Sequence, residues 1–98
     1  MAFEITIRHQ EIGDAIKAQA AEKAARLDEK FPDIEFIHAV LDKDGPFFTV
    51  MVAAQGGHGN TAEASGKKNN VLEALQDAFD KTEAQLRKNA QRMRESRK

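Results

Sequence analysis

Lysine and arginine side chains gather at the end of the chain, and the chemistry they suit is contact with phosphate. Residues 81–98 hold seven Lys and Arg against two Asp and Glu, whereas residues 1–80 hold eight against fourteen. The formal net charge of −1 therefore combines a body of about −6 with an end of about +5. A basic, helix-forming end is typical of a surface that binds a polyanion. The same residues would also suit a helix C-terminus or a solvated tail.

Helical spacing places these cations beside apolar stripes, at about 100° per residue. On the last predicted helix the flanking cations are Lys81, Lys88 and Arg92 on one side and Arg87 and Arg94 on the other. On the first predicted helix they are Lys23, Arg26 and Lys30. We expect two helices packed side by side to bring these cations into one groove. With Trp and Tyr absent, the six Phe are expected to anchor the core, which favours reading the shape and charge of folded RNA over stacking on bases.

The elements that must position these side chains follow from periodicity. Phe3, Ile5 and Ile7 alternate with polar residues, as in a half-buried strand. Apolar residues then recur at helical spacing over residues 14–30, and Pro32 ends that helix. Three further strands are predicted at 34–41, 47–54 and 61–65, with a turn at residues 44–46. The second helix is predicted from Asn70, as N-cap, to about Arg94.

The order β-α-β-β-β-α predicts an α+β two-layer sandwich, with a four-stranded sheet and two helices on one face. A single domain is expected over residues 1–94, with a basic tail at 95–98. Because nothing apolar follows Met93, we expect Arg97 and Lys98 to be disordered when the protein is unbound. The second helix would be about 37 Å long, so its last turns should overhang the sheet.

Composition excludes several kinds of site. The chain has no cysteine, so it has neither a disulfide nor a thiolate metal site. Its three histidines show no metal-ligand spacing and no nucleophile motif, and we expect no enzyme activity, cofactor, metal or small-molecule substrate. His38, within a strand, is expected to be a packed or hydrogen-bonded core residue. No stretch is apolar enough for a signal or a membrane span, so a cytoplasmic protein is expected.

Several stretches, in order and at consistent spacing, carry a resemblance to a known family. They are Arg8-His9, Asp14-Ala15-Ile16, Lys23, Arg26-Leu27, His38-Ala39-Val40-Leu41, Ala62-Glu63-Ala64, Asp80-Lys81, Glu83 and Gln85-Leu86-Arg87-Lys88. Over residues 5–88 the chain resembles the ribosome hibernation promoting factor family, also called the ribosome-associated inhibitor or sigma-54 modulation family. It departs from the family pattern at Asn70 and Leu72, where relatives usually carry Asp and Tyr, and at Lys67-Lys68, where they are often acidic.

The resemblance implies a fold similar to a double-stranded RNA-binding domain, placed in the mRNA and tRNA channel of the small ribosomal subunit. There it would contact rRNA, block translation in stationary phase or stress, and favour inactive ribosome dimers as short members do. A monomer is expected off the ribosome. The RNA-binding residues carried over from the motif are Arg8, Lys23, Arg26, Lys81, Arg87 and Lys88. Geometry adds Lys30 and Arg92.

A protein-interaction module, such as a sigma-factor modulator using the same basic helix, is the alternative. Salt dependence and competition with RNA would separate the two, because phosphate contacts release counterions. On the RNA hypothesis, Lys81→Glu combined with Lys88→Glu should abolish ribosome binding and leave thermal stability nearly unchanged.

Overall fold

The computed structural model describes residues 1–95, except for the side chains of residue 58 and residues 93–95. Its elements are β1 (Ala2–Ile7), α1 (Asp14–Lys30), β2 (Ile34–Asp44), β3 (Phe47–Gly56), a 3₁₀ turn (Gly57–Gly59), β4 (Thr61–Lys68) and α2 (Val71–Glu95). The expectation about Arg97 and Lys98 falls outside the described residues. None of the helices within residues 1–95 has the combination of length and apolar composition that crossing a lipid bilayer requires.

The sheet has the strand order β1-β2-β3-β4. β1 runs parallel to β2, and the pairs β2–β3 and β3–β4 are antiparallel. Gly45 and Pro46 form the two-residue turn between β2 and β3, where Gly45 has a φ of +59° that a residue without Cβ adopts easily. Both helices pack on one face of the sheet, which confirms the α+β sandwich predicted from the sequence.

The element bounds show where pairing extends beyond the sequence pattern. α1 has the predicted bounds. β2 and β4 each run three residues further than predicted, because Asp44 pairs with Phe47 and Lys68 pairs with Phe48. The predicted N-cap of α2 is confirmed, since Asn70 Oδ1 accepts hydrogen bonds from the backbone N–H groups of residues 72 and 73 at 2.9 and 3.2 Å.

The core between sheet and helices is mainly aliphatic, so the expectation that six Phe anchor it is wrong. Among the Phe residues only Phe79 is buried, and Phe47 is 41% exposed. The largest fully buried apolar side chains are Ile37, Leu41, Leu75, Leu86, Val50 and Val52. The helices approach the sheet on small residues: Ala20, Ala24, Ala74 and Ala78 are buried at these contacts. A close helix–sheet contact leaves little room for aromatic rings.

One glycine shows how close this approach is. A Cβ added to the buried Gly66 of β4 would lie 2.5 Å from the backbone oxygen of Ala74 in α2. α2 then runs antiparallel along β4, and among the described side chains its last hydrogen bond to that strand is from Asn89 to the backbone oxygen of Thr61, at the start of β4. Residues 90–95 therefore extend beyond the strand, which confirms the predicted overhang.

Candidate nucleic-acid interface

A groove between the two helices brings together three of the four cations of α1. It is lined by Lys23, Arg26, Leu27 and Lys30 from α1 and by Gln76, Phe79, Asp80 and Glu83 from α2. Leu27 and Phe79 are buried. The groove thus combines an apolar floor with polar walls of both charge signs. This arrangement confirms that Lys23, Arg26 and Lys30 share one surface, as their spacing predicts.

Glu83 is the central anion of this groove. Its Oε1 accepts a hydrogen bond from Lys30 Nζ at 2.8 Å, and its Oε2 accepts one from Arg87 Nη2 at 2.7 Å. The Glu83 side chain is 26% exposed, whereas those of Lys30 and Arg87 are 55% and 66% exposed. The hydrogen bond from Lys30 is the main cause that holds the pKa of Glu83 below its ordinary value, and the charges of Lys30 and Arg87 act in the same direction. Glu83 therefore bridges α1 and the adjacent turn of α2.

The other groove cations have polar partners as well. Lys23 Nζ donates to Gln76 Oε1, and the amide of Gln76 donates to Asp80 Oδ1 at 2.7 Å. Arg26 pairs with Glu22 on its own helix at 2.7 Å, with both side chains more than half exposed. These are surface contacts of low net energy, so an incoming anion can replace them at small cost.

Lys81 lies on the opposite flank of α2, against the edge of the sheet. Its Nζ donates to the backbone oxygen of Ser65 at 3.1 Å and pairs with Asp77 at 3.0 Å. Lys88 and Arg92 are exposed and, at seven and eleven residues from Lys81, share its flank. The expectation that all the helical cations enter one groove is therefore wrong: Arg87 is beside it, while Lys81, Lys88 and Arg92 form a second surface.

The side chains of two more residues, Gln85 and Asn89, continue the line of contacts between α2 and β4. Gln85 Nε2 donates to the backbone oxygen of Glu63 at 2.8 Å, and Gln85 Oε1 accepts from the backbone N–H of Glu63 at 3.1 Å. Asn89 Nδ2 donates to the backbone oxygen of Thr61 at 2.8 Å. With Lys81, these side chains satisfy the outer backbone groups of an edge strand. Lys81 thus has a structural contact that the sequence did not indicate.

Arg8 lies apart from both helical surfaces. It is exposed at the end of β1, in a shallow depression that it lines with Val40, Asp42 and Met51 among others. These residues belong to the face of the sheet that carries no helix. The same face presents Phe47, whose ring lies 5.3 Å from Lys67 Nζ. An exposed aromatic ring beside a cation is a feature that the sequence pattern missed.

The two histidines whose side chains are described have local roles. His38 Nε2 lies 3.1 Å from the hydroxyl of Thr6, which confirms the expected hydrogen bond. The expected core position is wrong, because His38 alternates with the buried Ile37 and Ala39 and is half-buried on the face without helices. His9 Nδ1 accepts a hydrogen bond from the backbone N–H of Glu11 at 3.2 Å. Glu11 in turn pairs with Lys43, and this contact lowers its pKa.

Comparison with known proteins adds to this geometry. In fold, the chain is similar to a ribosomal subunit interface protein from Coxiella burnetii, with a TM-score of 0.82 over 92% of this chain and 98% of that chain, at 19% sequence identity. It is also similar to the N-terminal domain of Protein Y from Thermus thermophilus, with a TM-score of 0.75 over 87% of this chain and 93% of that chain, at 26% identity. No similar protein was found among the curated sequences.

A family model gives the assignment that fold similarity alone does not. The model described as sigma 54 modulation protein / S30EA ribosomal protein matches residues 3–94. That match spans nearly the whole chain, including β1, both helices and all the cations discussed above except those of the tail. The chain therefore belongs to the sigma 54 modulation protein / S30EA ribosomal protein family.

Proposed function

We propose that this protein is a ribosome hibernation factor that binds the small ribosomal subunit through the cations of its helical layer. By contacting rRNA phosphates in the mRNA and tRNA channel it would block both ligands and silence translation in stationary phase or stress. Membership of a family described as containing a ribosomal protein supports the ribosome as partner. On this proposal the protein acts in the cytoplasm as a regulator and not as an enzyme, without a cofactor, and pairing of inactive ribosomes is a further outcome.

The observation that carries the proposal is the arrangement of Lys30 and Arg87 around the Glu83 carboxylate. Each oxygen of Glu83 accepts one charged hydrogen bond, at 2.8 and 2.7 Å, from cations on different helices. Phosphate oxygens accept bonds of the same kind and length. The groove therefore holds cations at a spacing that suits one phosphate, with Lys23 and Arg26 further along α1 for the next. RNA would have to displace or bypass Glu83.

The second surface extends the contact along α2. Lys88 and Arg92 are exposed, and Arg92 lies on the part of the helix that passes the end of β4. Lys81 contributes charge from the same flank, although its Nζ also binds the sheet edge. Because a channel surrounds the molecule that it holds, rRNA would also face the side of the sheet that carries no helix. Arg8 lies on that side and therefore stays among the proposed RNA contacts. We propose all eight cations as RNA-binding residues, with the groove as the primary site.

The test is co-sedimentation with purified small ribosomal subunits in a sucrose gradient, with the protein traced through the fractions. Lys23→Gln should weaken binding, whereas Lys17→Gln on the opposite flank of α1 makes the same charge change away from the groove and should have little effect. Loss of one phosphate contact should also lower the salt slope by about 1. Equal binding by both variants and the wild type would overturn the assignment of the groove. Absence of wild-type protein from the subunit fractions would overturn the function.

The alternative is a protein-interaction module that modulates a sigma factor, which the family description also names. The basic flank formed by Lys88 and Arg92 could contact an acidic protein surface as well as RNA. Competition separates the two: if rRNA is the ligand, a folded RNA displaces any protein bound to this flank. If about six phosphates are neutralised, affinity should fall roughly a thousandfold between 50 and 200 mM salt.

A further inference from the structure

The two edges of the sheet differ in how they are protected. On the β4 edge, Lys81, Gln85 and Asn89 of α2 bind four outer backbone groups between Thr61 and Ser65. β1 forms the other edge and pairs on one side only, with β2. An unpaired edge presents N–H and C=O groups that can pair with another strand. β1 therefore offers a docking surface that no described part of the chain covers.

The outward groups of β1 belong to its odd-numbered residues. The backbone N–H of Arg8 donates to the backbone oxygen of Leu41 at 2.9 Å, so the backbone groups of residue 8 point toward β2. Because these directions alternate along a strand, the backbone groups of Phe3, Ile5 and Ile7 point away from the sheet. Over the described part of the chain, no hydrogen bond from another element reaches these three residues on that side. Their side chains are also only half-buried.

We infer that β1 pairs antiparallel with β1 of a second copy of this chain, with Ile5 opposite Ile5 on a two-fold axis. In this register Phe3 lies opposite Ile7 and the three outward residues of each strand form six backbone hydrogen bonds. On the open face, Glu4 lies opposite Thr6 of the second copy and diagonal to both Arg8 and Glu4 of that copy, within reach of a long side chain. The two Glu4–Arg8 attractions outnumber the single Glu4–Glu4 repulsion. The register shifted by two residues toward the N-terminus would place Glu4 opposite Glu4, which like charge disfavours.

Helix α1 is compatible with this pairing. Its α2-facing flank carries Lys23 and Lys30, so the opposite flank lies above the β1 edge. At 100° per residue, Lys17, Ala21 and Asp28 fall within about 40° on that flank. Antiparallel β1 strands make the two α1 helices antiparallel, which brings Lys17 of one copy toward Asp28 of the other. A small residue, Ala21, lies between these charges and permits close approach.

The association should be weak, because one strand pair and one helix flank form a smaller interface than the roughly 1,200 Å² of stable complexes. The chain is then monomeric at low concentration, as expected off the ribosome, and dimeric only when concentrated. In sedimentation velocity, the weight-average coefficient of the wild type should rise between roughly 10 µM and 1 mM, the range of weak association. A constant coefficient over that range would overturn the proposal.

Single cysteines test the register, since the chain has none of its own. Ile5→Cys places two thiols across the axis at a Cα separation of about 5.5 Å, which a disulfide spans. Glu4→Cys places them about 8 Å apart, which is too far. Oxidised glutathione accepts the two electrons and two protons that each thiol pair gives up.

Ile5→Cys should form covalent dimers at least ten times faster than Glu4→Cys, although Glu4 is the more exposed residue. Random collision would favour the more exposed thiol, so equal or faster cross-linking of Glu4→Cys would contradict the pairing. If the reduced Ile5→Cys variant does not unfold cooperatively, its cross-linking is not used, and sedimentation of the wild type alone tests the pairing. Neither measurement involves RNA, so this inference stands or fails independently of the proposed function.

Discussion

Replacing Glu83 by Gln gives the sharpest test of the groove, because it should change affinity and stability in opposite directions. The substitution keeps the shape of the side chain and removes the negative charge that Lys30 and Arg87 share. A bound phosphate would no longer be repelled by a carboxylate at the same position, and both cations would be available to it. RNA affinity should therefore rise. The folded state, in contrast, loses two charged contacts, one of which joins α1 to α2.

The expected sizes follow from the geometry. Two like charges about 4 Å apart in water-like surroundings repel by about 1 kcal/mol, which corresponds to roughly a fivefold gain in RNA affinity. Ion pairs this exposed contribute about 0.2–1 kcal/mol each, so stability should fall by about 1 kcal/mol and the melting temperature by about 4–8 °C for a domain of this size. Gains in affinity and losses in stability of this size are both measurable.

The pH dependence of stability gives a second readout. The pKa of Glu83 is lowered in the folded state from an ordinary value of 4.5, chiefly by its hydrogen bond from Lys30. Stabilisation by the pair is therefore complete above that ordinary value and is lost as the pH falls through the lower folded-state pKa. The stability difference between wild type and Glu83→Gln should shrink as Glu83 becomes protonated. Thermal melts followed by circular dichroism across this range would measure it.

The affinity assay is fluorescence anisotropy of a labelled rRNA hairpin, repeated with purified small subunits. Glu29→Gln is the matched control, since Glu29 is exposed on α1 and has no ion pair within the described residues. Equal gains for Glu83→Gln and Glu29→Gln would show that net charge alone is responsible. An unchanged or reduced affinity of Glu83→Gln, in a protein that binds RNA and remains folded, would refute the argument that Glu83 occupies a phosphate position.

Two further substitutions test the packing of α2 on the sheet. Gly66→Ala should destabilise the fold by about 1–3 kcal/mol, because its Cβ would meet the Ala74 backbone oxygen. Gly13→Ala has nothing within 4 Å of its Cβ and should cost only the weaker N-cap preference of Ala, about 0.5–1 kcal/mol, so it is the control in the same denaturant titration. The sequence alone predicts nearly unchanged thermal stability for the Lys81→Glu and Lys88→Glu pair, but the bond of Lys81 to the β4 edge revises this expectation. Lys81→Glu should lower the melting temperature by a few degrees, whereas Lys88→Glu should not. Equal melting temperatures for those two variants would contradict a structural role for Lys81.

Periodicity predicted the elements well where both ends carry a strong signal. The bounds of α1 follow from Gly13-Asp14 at its start and Pro32 just beyond its end. Strand ends were less predictable, because Lys67 and Lys68 join β4 only through pairing with β3. The Phe residues were misplaced for a related reason: alternation indicates which residues share a face, whereas the spacing between helix and sheet depends on Ala and Gly contacts that only the folded chain reveals.

The candidate site was predictable in part for a geometric reason. Helical spacing correctly grouped Lys23, Arg26 and Lys30, since that grouping depends on one helix alone. It could not tell which flank of α2 faces α1, so Lys81 was assigned to the same groove when it lies against β4. The pairing of Glu83 with Arg87 was visible as a four-residue spacing, but its second partner, Lys30, comes from the other helix.

The contacts of Lys81, Gln85 and Asn89 with Ser65, Glu63 and Thr61 couple the length of a helix to the length of a strand. Four helical residues advance about 6 Å and two antiparallel strand residues about 6.8 Å, so the two repeats stay nearly commensurate over the two steps that separate these three contacts. Deleting one residue of α2 before Lys81 would turn the side chains of Lys81, Gln85 and Asn89 by about 100° around the helix axis and remove their hydrogen bonds to β4. Natural insertions and deletions in α2 should therefore occur mainly after Asn89, beyond the described hydrogen bonds between the helix and the sheet.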